Sequence, residues 1–313
     1  MKLSSLIESY IEHKRSLGMV FGSQAVILRS FASAMGEVDA GDVALEPVQR
    51  FLDGKGARTQ FWLVKYGTID GFYRFALNRN HTKKIPLPPQ KPQILDDFVP
   101  YIYSVEDMKR LLDAVQVRHH KTWLLEPHTI RTLLLLLYGT GLRISEAVGL
   151  KLADLDLDAR MLTIKAAKFF KMRYVPVGDG VFKVLGNYIE RQWSTSRTLE
   201  STPLLSTRER RPVSRQQAEQ AFLQIRKVAG VCHPAPVKYG PRLHDFRHTF
   251  AVVRLLTWYR EGKDVQRLLP HLSTYLGHYT LRHTQRYLTL TTELLLEANA
   301  CFERYASPEV RNA

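Results

Sequence analysis

Four prolines, at positions 86, 88, 89 and 92, crowd into the short stretch HTKKIPLPPQKP. Each lacks an amide hydrogen and clashes with the turn before it, so no helix continues through the segment and an extended polyproline path is favoured. The chain is also 313 residues long, beyond the roughly 250–300 residues at which single hydrophobic cores stop growing. Both facts predict two domains, residues 1–95 and 96–313, with a linker over residues 80–97.

Upstream of the prolines, Leu3, Leu6, Ile7, Tyr10 and Ile11 fall on one face of a helix, with charges elsewhere. A signal peptide would instead show a continuous apolar block. Short helices follow, broken by Gly18, Gly22, Gly36, Gly41, Gly54 and Gly56 and ending in FWLVKYGTIDGFYRFAL. Downstream, SVEDMKRLLDAV predicts a helix capped by Ser104 with Asp107 in a near capping-box position. The apolar run Leu133 to Tyr138 is far shorter than the roughly 20 residues that span a bilayer, and it predicts a buried helix. MLTIKA and RYVPV predict a β-hairpin with a basic tip carrying Lys165, Lys168, Lys171 and Arg173. The remainder is helical, closing with a helix over residues 291–306. The expected fold class is therefore mainly α: a helical N-terminal domain and an α-rich second domain with a small antiparallel β-hairpin.

Lys and Arg number 45 against 30 Asp and Glu, a formal charge of +15. Through Ile94 the count is 13 basic to 8 acidic residues, so both halves are basic. A polyanion, with nucleic acid the first candidate, suits that balance. Candidate DNA contacts are Lys14, Arg15, Lys65 and Arg74 in the first half and Lys165 and Arg173 on the hairpin; a solvated charged face is the ordinary alternative for each. The two cysteines, Cys232 and Cys301, form no CxxC pair, which fits a reducing cytoplasm.

The segment HDFRHTF places His244 and Arg247 three positions apart, on one helical face. Arg143 lies in YGTGLRISEAVGL, and His278 and Tyr287 lie in LGHYTLRHTQRYL. Two arginines and two imidazoles converging from separate segments repel one another unless an anion sits between them, and phosphate accepts bidentate guanidinium contacts well. Singly each has a plain explanation: Arg143 as a surface charge, Arg247 as a partner of Asp245 or Glu146, Tyr287 as half-buried core. His244 and His248 also have the spacing of zinc-binding HExxH helices. Asp245 replaces the required Glu, however, and Arg247 would set a positive charge beside the ion, so no metal is expected. No GxxxxGK[ST] loop occurs.

In TGLRISE, the hairpin lysine, HDFRH, and LGH followed nine residues after its histidine by Tyr287, the chain resembles the tyrosine recombinase (phage integrase, Xer-like) family, over roughly residues 100 to 290. Residues 1–95 resemble its core-binding domain in size, helical texture and basicity. The resemblance implies a site-specific recombinase that cuts and rejoins DNA through a 3′-phosphotyrosyl intermediate and a Holliday junction, without a cofactor. Tyr287 would be the nucleophile, Arg143 and Arg247 would grip the non-bridging oxygens, His244 would accept the phenol proton and His278 would donate to the phosphate. Lys168 would be the general acid, with Lys171 and Lys165 as alternatives, and Glu146 would orient an active-site cation. His248 and Thr284 would support the site. Tyr275 and Tyr279 lack the spacing of Tyr287. The implied partners are double-stranded DNA with specific sites and further copies of the chain, as a homo-tetramer with the last helix docked on a neighbour, in the cytoplasm and nucleoid-associated when DNA-bound. A type IB topoisomerase and a non-catalytic DNA-binding relative are the alternatives.

Overall fold

The computed structural model describes residues 1–56, 58–93, 99–117, 125–165, 172–194, 200–234, 240–278, 280–289 and 291–306. The chain divides into two compact units, one over residues 1–98 and one over residues 99–165 and 172–313.

In the first unit, α1 (Leu3–Ser16), α2 (Gly22–Met35), α3 (Leu45–Asp53) and α4 (Gln60–Asn78) surround an aromatic-rich core. The stripe Leu3, Leu6, Ile7, Tyr10 and Ile11 is the buried face of α1, as its spacing predicts. Tyr10 meets Phe72 edge-on at 5.8 Å, and Phe72 meets Tyr73 at 5.0 Å, the geometry that ring quadrupoles favour. The proline segment begins on this unit. Leu87 is buried in the same core, and the Tyr66 hydroxyl donates to the Pro88 carbonyl at 3.0 Å.

The second unit opens with α5 (Val105–Val117). Its capping box forms: the Asp107 amide donates to Ser104 Oγ at 3.0 Å, and the Ser104 amide donates to Asp107 Oδ2 at 2.9 Å. Next come α6 (Pro127–Thr140) and the single-turn α7 (Ile144–Gly149). Leu133, Leu134, Leu136 and Leu137 of α6 are all buried. The apolar run is thus the central helix of the core.

The sheet runs in the order β1 (Leu155–Asp156), β2 (Met161–Lys165), β3 (Met172–Pro176), antiparallel throughout. The expected hairpin is β2 and β3, with Leu162 opposite Val175 and Ile164 opposite Arg173. The short β1, paired through Leu155 and Leu162, extends it to three strands. Too few residues alternate in β1 to signal a strand in the sequence.

Then follow α8 (Asp179–Trp193), α9 (Arg215–Val228), α10 (Asp245–Arg260), α11 (Val265–Leu276), α12 (Arg282–Gln285), a 3-10 turn (Arg286–Thr289) and α13 (Thr292–Ala306). The start of α13 packs on its own chain. Leu294 is fully buried in a cluster with Val252, Leu255 and Leu276 of the same chain. Arg260 of α10 also pairs with Glu293 and Glu297. Leu295 and Leu296 remain exposed. Among the described residues no helix is long and apolar enough to cross a membrane.

Candidate active site

Two helix ends position the arginines. Gly141 closes α6 and Gly277 closes α11, both in the left-handed region at φ +63° and +64°. A Cβ on Gly141 would lie 2.7 Å from the Phe250 ring, and one on Gly277 would lie 3.0 Å from the Arg173 guanidinium. Both positions therefore require glycine for backbone and for space. Each glycine carbonyl receives an arginine: Arg247 Nη1 donates to Gly141 O at 3.1 Å, and Arg143 Nη2 donates to Gly277 O at 3.0 Å. Arg247 Nη2 also donates to Leu276 O. Carbonyls at helix C-termini lack intrahelical partners and carry part of the helix dipole's negative end, so they hold cations well.

Arg143 stands at the N-cap of α7 with its side chain 36% exposed. Its Nη1 donates to Glu146 Oε1 at 2.9 Å, and its amide donates to Glu146 Oε2 at 2.9 Å. Glu146 is thus a partner of Arg143, and it has a second: Arg173 donates to both its oxygens at 3.0 and 2.8 Å. Burial opposes ionisation of Glu146, but Arg173 and Arg143 outweigh it and bring the carboxyl down to about 2. Arg247, at the first turn of α10, is only 2% exposed. Burial, followed by repulsion from Arg143, lowers its guanidinium to about 10.

Tyr287 belongs to the same pocket. It sits in the 3-10 turn after α12, 4% exposed, its ring centroid 5.5 Å from that of His248 and 6.0 Å from that of His278. Burial raises its pKa, while the field and hydrogen bond of Arg247 and the field of Arg143 pull the other way. The His278 Nδ1 lies 2.7 Å from the Thr284 hydroxyl, and Thr284 is fully buried. His244 stands at the N-cap position of α10 without a side-chain cap and is exposed, yet partial desolvation, followed by the nearby Arg247, Arg242 and Arg143, brings its imidazolium down to about 4. His248 and His278, both desolvated beside arginines, fall to about 3. The His244 and His248 rings stand edge to face at 5.0 Å. Among the described residues no three His, Cys, Asp or Glu side chains gather as metal ligands.

The structure therefore brings Arg143, Glu146, His244, Arg247, His248, His278, Thr284 and Tyr287 into one neighbourhood. Lys168 and Lys171 lie outside the described residues. A cleft of about 620 Å³ opens beside Arg143 and His244, lined also by Arg215 with its partner Glu219, Arg226, Arg242 and Phe222.

The six expected DNA-contacting cations behave differently from one another. Arg15 is exposed. Lys14 lies over the Tyr10 ring, and the exposed Arg74 pairs with Asp70 at 2.9 Å. Lys165 pairs with Asp154 at 2.7 Å. Lys65 turns inward onto the Phe51 and Leu52 carbonyls, the first at 2.6 Å, and burial lowers its pKa. Arg173, 13% exposed and engaged with Glu146, is part of the site's framework rather than a surface cation. Its strand register gives no hint of this, because Glu146 lies 27 residues away.

A family model described as the phage integrase family matches residues 103–293. The candidate integrase/recombinase y4rB of Sinorhizobium fredii is 35% identical over 95% of this chain and 96% of its own length. Tyrosine recombinase XerC of Staphylococcus carnosus is 28% identical over 78% of this chain and 76% of its own. Among solved structures, the Tn1549 transposon integrase in complex with transposon right end DNA superposes with a TM-score of 0.72 at 18% identity, covering 98% of this chain and all of that one.

Proposed function

The chain belongs to the phage integrase family and is a site-specific tyrosine recombinase, and from that premise we propose that Tyr287 is its nucleophile and the surrounding arginines and histidines its phosphate clamp. The observation that carries this reading is the packing of the Tyr287 phenol, in its own chain, against Arg247 and the His248 and His278 rings.

Transfer proceeds by attack of the Tyr287 oxygen on the scissile phosphorus as the P–O5′ bond breaks, leaving a 3′-phosphotyrosyl link and a 5′-hydroxyl. A free phenol, with a pKa near 10, holds its proton at neutral pH. His244, brought down to about 4, is neutral there and can accept that proton. Arg143 and Arg247 face the two non-bridging oxygens, where charge grows in the transition state. For His278 to donate to the same phosphate through Nε2, its Nδ1 must accept from the Thr284 hydroxyl, the partner it has at 2.7 Å. The departing 5′ oxygen takes a proton from a hairpin lysine, Lys168 by the family pattern. The phosphotyrosyl bond stores the energy of the broken one, so rejoining needs no cofactor.

Each chain supplies one such tyrosine, while exchange between two duplexes cuts four strands. Four copies on two recombination sites, cutting two strands at a time through a Holliday junction, satisfy that stoichiometry.

The test is covalent trapping. A library of duplexes nicked beside a randomised arm is incubated with the protein, and DNA retained through denaturing capture is sequenced to give the site. The wild type should yield an adduct and Tyr287→Phe none. An undiminished adduct from the variant would move the nucleophile elsewhere, and relaxation of supercoils without any preferred site would favour the topoisomerase alternative.

A further inference from the structure

The arginines of the site are not held one by one. Arg173 Nε donates to Tyr275 O at 2.9 Å, Arg247 Nη2 donates to Leu276 O, and Arg143 Nη2 donates to Gly277 O at 3.0 Å. Three consecutive carbonyls at the end of α11 thus take one guanidinium each, from β3, from α10 and from the turn before α7. A helix leaves its last four carbonyls unpartnered and gathers about half a negative charge there. The end of α11 is therefore a template that sets three cations in register.

Arg173 differs from the other two. Every nitrogen of its guanidinium is engaged within the protein, Nε by Tyr275 O and the two Nη groups by the Glu146 oxygens at 3.0 and 2.8 Å. Its side chain is 13% exposed, against 36% for Arg143. The flat fork matches the carboxylate in the bidentate geometry that a lysine cannot reproduce. With Arg173 on both oxygens, Glu146 takes only one side-chain nitrogen of Arg143, at 2.9 Å.

We propose that Arg173 is a positioning residue for strand cleavage: it pins the Glu146 carboxylate to the end of α11 and so fixes how Arg143 presents its remaining donors to the scissile phosphate. A Glu146 released from Arg173 would accept both Nη groups of Arg143 in a fork of its own and turn them away from DNA. The effect would fall on the cleavage step, because Arg173 is only 13% exposed and each of its guanidinium nitrogens is already bonded within the protein, so it is not itself a contact for the duplex. This rests on the reading of Arg143 as a phosphate ligand and deepens it.

The experiment uses the full-length protein and the nicked site recovered by covalent capture. It measures duplex affinity, the single-turnover rate of adduct formation at saturating enzyme, and the thermal midpoint. Arg173→Met should slow adduct formation about 100-fold, the scale of a misplaced reacting group, while affinity changes less than about threefold. Arg173→Lys, which keeps the charge without the fork, should remain closer to Arg173→Met than to the wild type. In a Glu146→Gln background the same Arg173→Met change should cost under about threefold, since the partner it acts through is already altered.

Three results would overturn the proposal: a wild-type rate in Arg173→Met at saturation, affinity lost in proportion to rate, or fully additive effects in the double variant. Should Arg173→Met lower the thermal midpoint severely, Arg173→Lys carries the comparison. Failure of the wild type to form any adduct would strike the proposed function itself, a separate outcome.

Discussion

Replacing Gly277 by alanine perturbs the site through the backbone alone. Gly277 closes α11 at φ +64° and ψ +46°, where an L residue costs roughly 1–2 kcal/mol. The new methyl would also lie 3.0 Å from Arg173 Nη1 and 3.2 Å from its Cζ. Carbon contacts are comfortable at about 3.5–4.0 Å, so the guanidinium must retreat by about half an ångström. That shift is imposed on the bonds to Glu146 and Tyr275 O, and the glycine's own carbonyl is the acceptor for Arg143. Gly230 is the matched control in the same unit, at φ +63° with nothing within 4 Å of its would-be Cβ. Urea titration should show both alanine variants losing about 1–2 kcal/mol. Adduct formation should slow by about tenfold or more in Gly277→Ala and stay near wild type in Gly230→Ala. Equal rates in the two variants would refute the idea that the turn's carbonyl and its open space set the arginine geometry.

Two further outcomes follow from the imidazoles. Thr284→Val keeps shape but removes the hydroxyl at 2.7 Å from His278; adduct formation should fall about 10–100-fold with duplex affinity unchanged, and a wild-type rate would show that the ring needs no such partner. The second concerns acid. His244, His248 and His278 sit at about 4, 3 and 3 in the folded protein, below the ordinary value of about 6.5, so the unfolded chain binds more protons between those values. Stability of the free protein should be constant just above about pH 6.5 and fall as the pH drops toward 4, with a shallower fall in His278→Asn. A urea midpoint that stays flat across that window would contradict the depressed imidazoles.

Much of this arrangement is legible in the sequence, for identifiable reasons. Period alone finds the buried face of α1 and the Leu-rich centre of α6, because apolar spacing and burial have one cause. The capping box at Ser104 and the β2–β3 pairing are local, involving residues near in sequence. Motif order gathers Arg143, His244, Arg247, His278 and Tyr287. What stays hidden depends on backbone atoms and distant partners. TGLR and LGH contain Gly141 and Gly277, yet nothing in a glycine says that its carbonyl will hold an arginine from 106 or 134 residues away. Arg173 reads as one more hairpin cation until the fold delivers Glu146 to it. Lys65 likewise reads as a free charge, whereas α3 ends with two carbonyls within its reach. Leu294 sits in a stripe that would suit either a neighbour or its own core; this one residue packs against α10, while Leu295 and Leu296 stay exposed.

Arg247 shows why so charged a site exists without DNA. Its guanidinium, lowered from 12.5 to about 10, is opposed by roughly 3 kcal/mol where it sits. Its bonds to Gly141 O and Leu276 O offset part of that. Arg247→Met would remove the opposition and leave two carbonyls short of partners, at about 1–3 kcal/mol each. The terms run in opposite directions and are similar in size, so the variant should stay within about 2 kcal/mol of wild-type stability despite deleting a buried side chain. Cleavage should nevertheless fall by about 10²–10³, because that charge acts where the phosphorane develops. On the proposed roles, a phosphate arriving between Arg143 and Arg247 would neutralise the repulsion that folding leaves standing, and in that sense the site would be built ahead of its substrate. Loss of more than about 4 kcal/mol on Arg247→Met would make the residue a structural strut, and the preorganised charge would then have to reside in Arg143 alone.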